Sequence, residues 1–123
     1  MDLNHLTSEV IDSSIKIHKL YGPGLLESVY EELLCFELRQ KNIEFEKQKP
    51  FSIMHEGHKI DLGFRIDLWV NKQIIVELKA VEKIIPVHKA QILSYMKLTN
   101  SPLGLLINFN EALLKNGINR FVI

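Results

Sequence analysis

The stretch Phe64 to Ala80 reads FRIDLWVNKQIIVELKA. Its two apolar runs, Phe64 to Val70 and Ile74 to Lys79, are rich in Val, Ile and Trp and flank the polar Asn71-Lys72-Gln73, the pattern of a β-hairpin. A three-residue loop pairs Val70 with Ile74, Leu68 with Val76 and Ile66 with Leu78, which gathers six aliphatic side chains on one face as core. Arg65, Asp67, Trp69, Ile75, Glu77 and Lys79 fall on the other face, with Asp67 across from Glu77. A two-residue loop at Asn71-Lys72 would mix apolar with charged residues on both faces, and such a slip is disfavoured where one face is buried. The odd-numbered loop, or an equivalent bulge, is the expected one.

Two carboxylates opposed on neighbouring strands, with β-carbons about 4.5–5.5 Å apart, destabilise the pair unless positive charge lies between them. Lys79 relieves this in part, and a divalent cation does so fully. Oxygen ligands on a stiff sheet suit Mg²⁺ or Mn²⁺, which keep waters for substrate oxygens and support phosphodiester hydrolysis. A solvated cluster of Asp67, Glu77 and Lys79 on an exposed sheet face is the other reading of the same residues.

Composition narrows the class. The chain has 123 residues, 46% apolar and 24% charged, which suits one globular domain spanning residues 1–123. No apolar run approaches the roughly 18 residues of a membrane span, and MDLNHLTSEV does not resemble a signal peptide, so a cytoplasmic protein with no membrane partner is expected. The single Cys35 lies in a helical pattern, reads as a small core residue and fits a reducing compartment. Fifteen basic and fifteen acidic side chains argue against strong non-specific binding to a polyanion. A chain of this balance that acts on nucleic acid needs clustered basic residues, a metal or a second subunit.

The remaining segments read as supports. Leu6 to Leu20 carries apolar residues at helical spacing, with Thr7 as the expected N-cap, and Tyr21-Gly22-Pro23-Gly24 ends that helix. The Gly-Pro-Gly turn is either a plain turn or a phosphate cradle. A second helix is expected from Leu25 to Lys41, with Glu27 and Tyr30 on one side of its first turns. With Gly24 as N-cap, Glu27 would be the third helical residue, where a carboxylate favours the helix dipole. Short strands are expected at Ile43 to Glu46, Phe51 to Met54 and His58 to Leu62, with Pro50 between strands or at an edge. A helix over Val87 to Leu98 places Gln91 and Tyr95 four apart, either able to reach one ligand or simply half-exposed. Leu103 to Phe109 reads as a buried strand, and Ile118 to Ile123 adds a last one. The five histidines are scattered, with His55 and His58 flanking a surface turn at Gly57.

Asp67, then Glu77-Leu78-Lys79, then Gln91 and Tyr95 on the following helix resemble the PD-(D/E)XK nuclease superfamily. Its core has an Asp, a Glu-x-Lys on the next strand and, in some branches, a Gln-x-x-x-Tyr helix. Gly24-Leu25-Leu26-Glu27-Ser28-Val29-Tyr30 looks like the signature of the GxxExxY family of that superfamily. Ile66 stands where the superfamily's name has Pro. The resemblance implies an α/β, restriction-endonuclease-like fold with a mixed, largely antiparallel twisted sheet flanked by helices. It implies Asp67 and Glu77 as metal ligands, the Leu78 carbonyl as a third, Lys79 as the catalytic lysine and Glu27 as an acidic contribution from the adjacent helix. Gln91, Tyr95 and Tyr30 are then expected at the substrate, with holding the lysine as the alternative role of Gln91 and Tyr95.

The resulting expectation is a Mg²⁺- or Mn²⁺-dependent nuclease acting on DNA rather than RNA. A non-catalytic nucleic-acid- or protein-binding module on the same fold is the rival. A homodimer is expected through the exposed edge of the last strand.

Overall fold

The computed structural model describes residues 1–123, the side chain of Leu62 excepted. Helix α1 spans Leu3–Tyr21 and α2 spans Glu27–Gln40. Strands β1 (Phe45–His55), β2 (His58–Val70) and β3 (Ile74–Lys79) follow, then α3 (Pro86–Thr99), β4 (Leu103–Asn108), a 3-10 turn at Leu114–Gly117 and β5 (Ile118–Val122). The five strands form one sheet in the order β1-β2-β3-β4-β5, antiparallel except between β3 and β4. This is the expected α/β architecture, and α3 is the crossover that a parallel pair requires. No helix among the described residues is long and apolar enough to cross a membrane.

Helix α1 starts earlier than expected because Asp2, not Thr7, caps it, accepting the His5 amide at 2.8 Å. Thr7 is buried inside the helix with its hydroxyl donating to the Leu3 carbonyl. Helix α2 has Leu26 as its N-cap, so Glu27 is its first residue rather than its third. The strands expected on either side of Pro50 are one continuous strand. Lacking an N–H, Pro50 is tolerated there because β1 is the sheet's outer strand.

The hairpin loop is the three-residue one: Val70 faces Ile74, Trp69 faces Ile75 and Leu68 faces Val76. Asn71 and Lys72 both adopt positive φ to close it. The ladder then stops, and the expected pairing of Ile66 with Leu78 does not form.

The faces also differ from simple alternation. Leu68, Val70, Ile74, Val76 and Leu78 join the core under α1 and α2, together with Tyr30, Leu34 and Leu38. Ile66 instead joins Ile75, Ile92, Met96 and Leu106 under α3, with Phe51, Phe64 and Trp69 packed beside them. In a regular β1–β2 pair Phe45 and Phe51 would share a face, yet Phe45 lies with the first cluster and Phe51 with the second. The hairpin therefore turns over between Lys47 and Lys49, at Gln48, whose φ is +51°. Both faces of the sheet are covered, and the face expected to meet solvent is the seat of α3. Phe64 stacks on Tyr95 of α3 with ring centroids 4.4 Å apart, which holds the overturned half in place.

Candidate active site

Where the β2–β3 ladder stops, side chains take over the backbone hydrogen bonds. The Asp67 amide donates to the Glu77 carboxylate at 2.8 Å, and the Leu78 amide donates to the Asp67 carboxylate at 2.9 Å. Each carboxylate thus satisfies a main-chain donor that the diverging strands have exposed. Glu77 is 6% exposed and Asp67 is half-buried.

This burial is electrostatically expensive. Desolvation, followed by the nearby Asp67 charge, pushes the Glu77 carboxyl up to about 8. Desolvation also raises Asp67, against the opposing effects of the Leu78 amide, Gln48 and Lys79. Lys79, half-buried at the end of β3, acts on both carboxylates through its charge but forms no direct ion pair with either among the described residues. The alternative of a solvated ion-pair cluster on an open sheet face is therefore overturned, since the carboxylates are largely buried and unpaired.

Two further carboxylates come from α2. Glu27 and Glu31, one turn apart, line a cleft of about 230 Å³ together with Ser28, Gln48, Asp67 and Leu78. Glu27 is exposed, and its carboxylate accepts the Ala80 amide at 3.4 Å, tying the start of α2 to the end of β3. Glu31 is buried, and burial raises its carboxyl above the ordinary range. The Gln48 side-chain amide donates to Glu31 at 2.6 Å and to Asp67 at 3.3 Å. Neither Glu31 nor Gln48 was among the residues expected at the site. Glu31 could have been found as the i+4 neighbour of Glu27, whereas nothing in an edge-strand pattern marks Gln48.

Tyr95 of α3 approaches from the other face. Burial and then the Glu77 charge raise its hydroxyl, and Gln91 lies beside it on the exposed side of the helix. The structure thus brings Asp67, Glu77, Lys79, Glu27, Leu78, Gln91 and Tyr95 to one end of the β2–β3 seam.

Tyr30 does not join them. It is fully buried, stacked on Phe109 at 4.3 Å, with its hydroxyl donating to the Gly22 carbonyl at 2.5 Å and accepting the Leu25 amide at 3.1 Å. Both hydrogen-bonding capacities of the phenol are used inside the fold. The expected substrate contact is replaced by a structural role, bracing the turn that leads to Glu27.

A model of the PD-(D/E)XK nuclease superfamily matches residues 4–121. The chain belongs to the PD-(D/E)XK nuclease superfamily. No curated protein and no solved structure matches it. Helix α1 through β5 fall almost wholly within the matched residues.

The superfamily implies Mg²⁺, and the donor set here fits such a hard cation: Asp67, Glu77, Glu27 and Glu31 offer carboxylate oxygens at the seam, and no lysine or arginine forms an ion pair with Asp67 or Glu77. Among the described residues no three His, Cys, Asp or Glu side chains gather into a cage. Another cleft, of about 410 Å³ between the end of α1 and Ala112 to Lys115, is lined by no carboxylate and lies away from this chemistry.

Proposed function

We propose that the protein hydrolyses phosphodiester bonds in nucleic acid, DNA rather than RNA, with Mg²⁺ or Mn²⁺. The observation that carries this reading is the pair of carboxyl groups, buried Glu77 and half-buried Asp67, which no lysine or arginine pairs directly, beside Lys79 at the end of the β2–β3 seam. In the nuclease reading these two residues would hold the cation, with the Leu78 carbonyl as a third ligand. When bound, such a cation lowers the pKa of a water and neutralises charge on the phosphate.

The chain's own residues do the rest. The Asp67 and Leu78 amides fix the two carboxylates in orientation before any ligand arrives. Lys79 supplies an ammonium within electrostatic reach of both, suited to orienting a water or stabilising the charge that develops on the phosphate. Glu27 adds acid character on the α2 side, and Gln91 with Tyr95 offers polar contacts to substrate on the α3 side.

Membership of the GxxExxY family is part of the same proposal, and each signature residue has a physical reason. Gly24 sits at φ +109°, where a side chain is strained, Glu27 reaches the end of β3, and Tyr30 clamps the turn from Gly22 to Leu25. A homodimer through β5 belongs to it as well. That outer strand exposes Val122 beside Ile123, and a second copy would widen the substrate surface of a chain with no net charge. A monomeric mass by light scattering at tens of micromolar would refute the dimer.

The balance of fifteen basic and fifteen acidic residues favours a second reading, a binding module that keeps the fold without turnover. Cleavage separates the two. A panel of duplex, single-stranded and branched DNAs should be cut by the parent with Mg²⁺ and spared by Asp67→Ala and Lys79→Ala. Equal cleavage by parent and variants would sink the site assignment, and DNA binding without cleavage, equal with and without Mg²⁺, would establish the module.

A further inference from the structure

We infer that Gln48 is a positioning residue, which holds the Asp67 carboxylate through its side-chain amide and links it to Glu31 without cancelling the charge of either. The inference rests on the reading of Asp67 as a cation ligand, and it deepens that reading by assigning a residue on β1 to the site. Three observations carry it.

The first is the backbone. Gln48 lies mid-strand, between Lys47 opposite Leu68 and Lys49 opposite Ile66, and so stands across from Asp67. Its φ of +51° is uncommon for a residue with a side chain and unusual within a strand. Such strain persists only where surrounding structure imposes it, and it concentrates at functional sites. Here it coincides with the point where the hairpin turns over, and it coincides with a Gln side chain that lines the cleft with Asp67.

The second is the bonding. Two donor hydrogens on one nitrogen meet two carboxylates, Glu31 at 2.6 Å and Asp67 at 3.3 Å. Carboxylates only accept when ionised, so the partners fix which end of the amide faces them. With Leu78 holding the other Asp67 oxygen, that carboxylate is gripped at both atoms.

The third is the choice of residue type. A lysine in this place would neutralise the cleft and occupy the role of a cation, and a glutamate would add to the repulsion. A neutral double donor orders two carboxylates and leaves their field intact for a divalent ion. The two positive residues that flank it on β1 are engaged elsewhere, Lys47 on Glu32 of α2 and Lys49 on Glu46.

Metal-free NMR and Mn²⁺ titration test this together. In the parent without metal, the Gln48 side-chain NH₂ should exchange slowly with solvent, and both Glu31→Gln and Asp67→Asn should shift its resonances. In calorimetry with Mn²⁺ alone, Gln48→Ala and Gln48→Gly should both bind roughly 10–100-fold more weakly than the parent. Glycine adopts positive φ freely, so equal losses in the two variants exclude relief of backbone strain as the cause. The double variant with Glu31→Gln should be no weaker than Gln48→Ala, because one hydrogen-bonded chain is being broken twice.

Gln48→Lys should bind no Mn²⁺ yet melt at a higher temperature than the parent, a pairing that a merely structural residue would not give. Parent-like Mn²⁺ affinity in Gln48→Ala and Gln48→Gly overturns the inference. A parent that binds no Mn²⁺ overturns the cation site instead. The positioning of Asp67 then stands if Asp67→Asn shifts the Gln48 amide and falls if it does not.

Discussion

Glu77 and Asp67 are joined by a reciprocal exchange across two diverging strands: the Glu77 carboxylate takes the amide of Asp67, while the Asp67 carboxylate takes the amide one residue beyond Glu77. The sheet opens at this point, and the two side chains close the gap. A site made this way is ordered without a ligand, because both carboxylates complete the backbone bonding of the fold. It also stores repulsion, because both are drawn out of water within reach of one another.

That repulsion sets a pH dependence. The Glu77 carboxyl stands near 4.5 in the unfolded chain and is pushed up to about 8 in the fold. Between those values the folded protein keeps a proton that the unfolded chain has lost, so stability falls as pH rises from about 4.5 to about 8 and levels off above. Asp67, raised in the same direction, adds to the slope at its lower end. Without divalent cations, Glu77→Gln should flatten this profile and exceed the parent at pH 8 by on the order of a few kcal/mol. Urea denaturation from pH 4 to 9 reads both, and parallel profiles for parent and variant would refute the burial of charge at Glu77.

Cation binding should release protons. Near neutral pH the Glu77 carboxyl of the metal-free protein is largely protonated, and ligation requires it ionised. Mn²⁺ affinity should rise with pH up to about 8 and then level. Calorimetry in buffers of different ionisation enthalpy should give a proton release that shrinks over the same interval. Affinity that does not change across it would place the ligands elsewhere.

The Asp67 carboxylate also serves the fold. Asp67→Ala leaves the Leu78 amide without its acceptor, whereas Asp67→Asn keeps an oxygen there. Asp67→Ala should therefore be less stable than Asp67→Asn by about 1–3 kcal/mol, measured by urea denaturation. Equal stabilities would mean that the Leu78 amide finds water instead.

Tyr30 should report on stability. Tyr30→Phe keeps the stack on Phe109 but strands the Gly22 carbonyl and the Leu25 amide, so it should lower stability by about 1–3 kcal/mol. Were the phenol a substrate contact, stability would hold while DNA affinity fell.

Much of this was legible in the sequence. The loop at Asn71-Lys72-Gln73 set the register because only one choice kept Leu68, Val70, Ile74 and Val76 together. The same pattern misled at Ile66. Its burial continues the alternation of Leu68 and Val70, and only the backbone at Gln48 turns that half of the hairpin toward α3. A positive φ outside glycine is imposed by tertiary contacts, and residue type does not announce it. Tyr30 was misassigned because an aromatic near a helix start looks the same in sequence whether it meets substrate or braces a turn. Pro50 left a break and an edge position both open, because its effect depends on whether the strand lies at an edge, which is a property of the sheet and not of the strand.

Calorimetry of Mg²⁺ and Mn²⁺ binding to the parent, Asp67→Asn and Glu77→Gln, alone and with non-cleavable DNA, tests the central claim most directly. Binding by the parent that both substitutions abolish is the predicted result. A parent that takes up neither cation, even with DNA phosphates present, or variants that bind as the parent does, would contradict it.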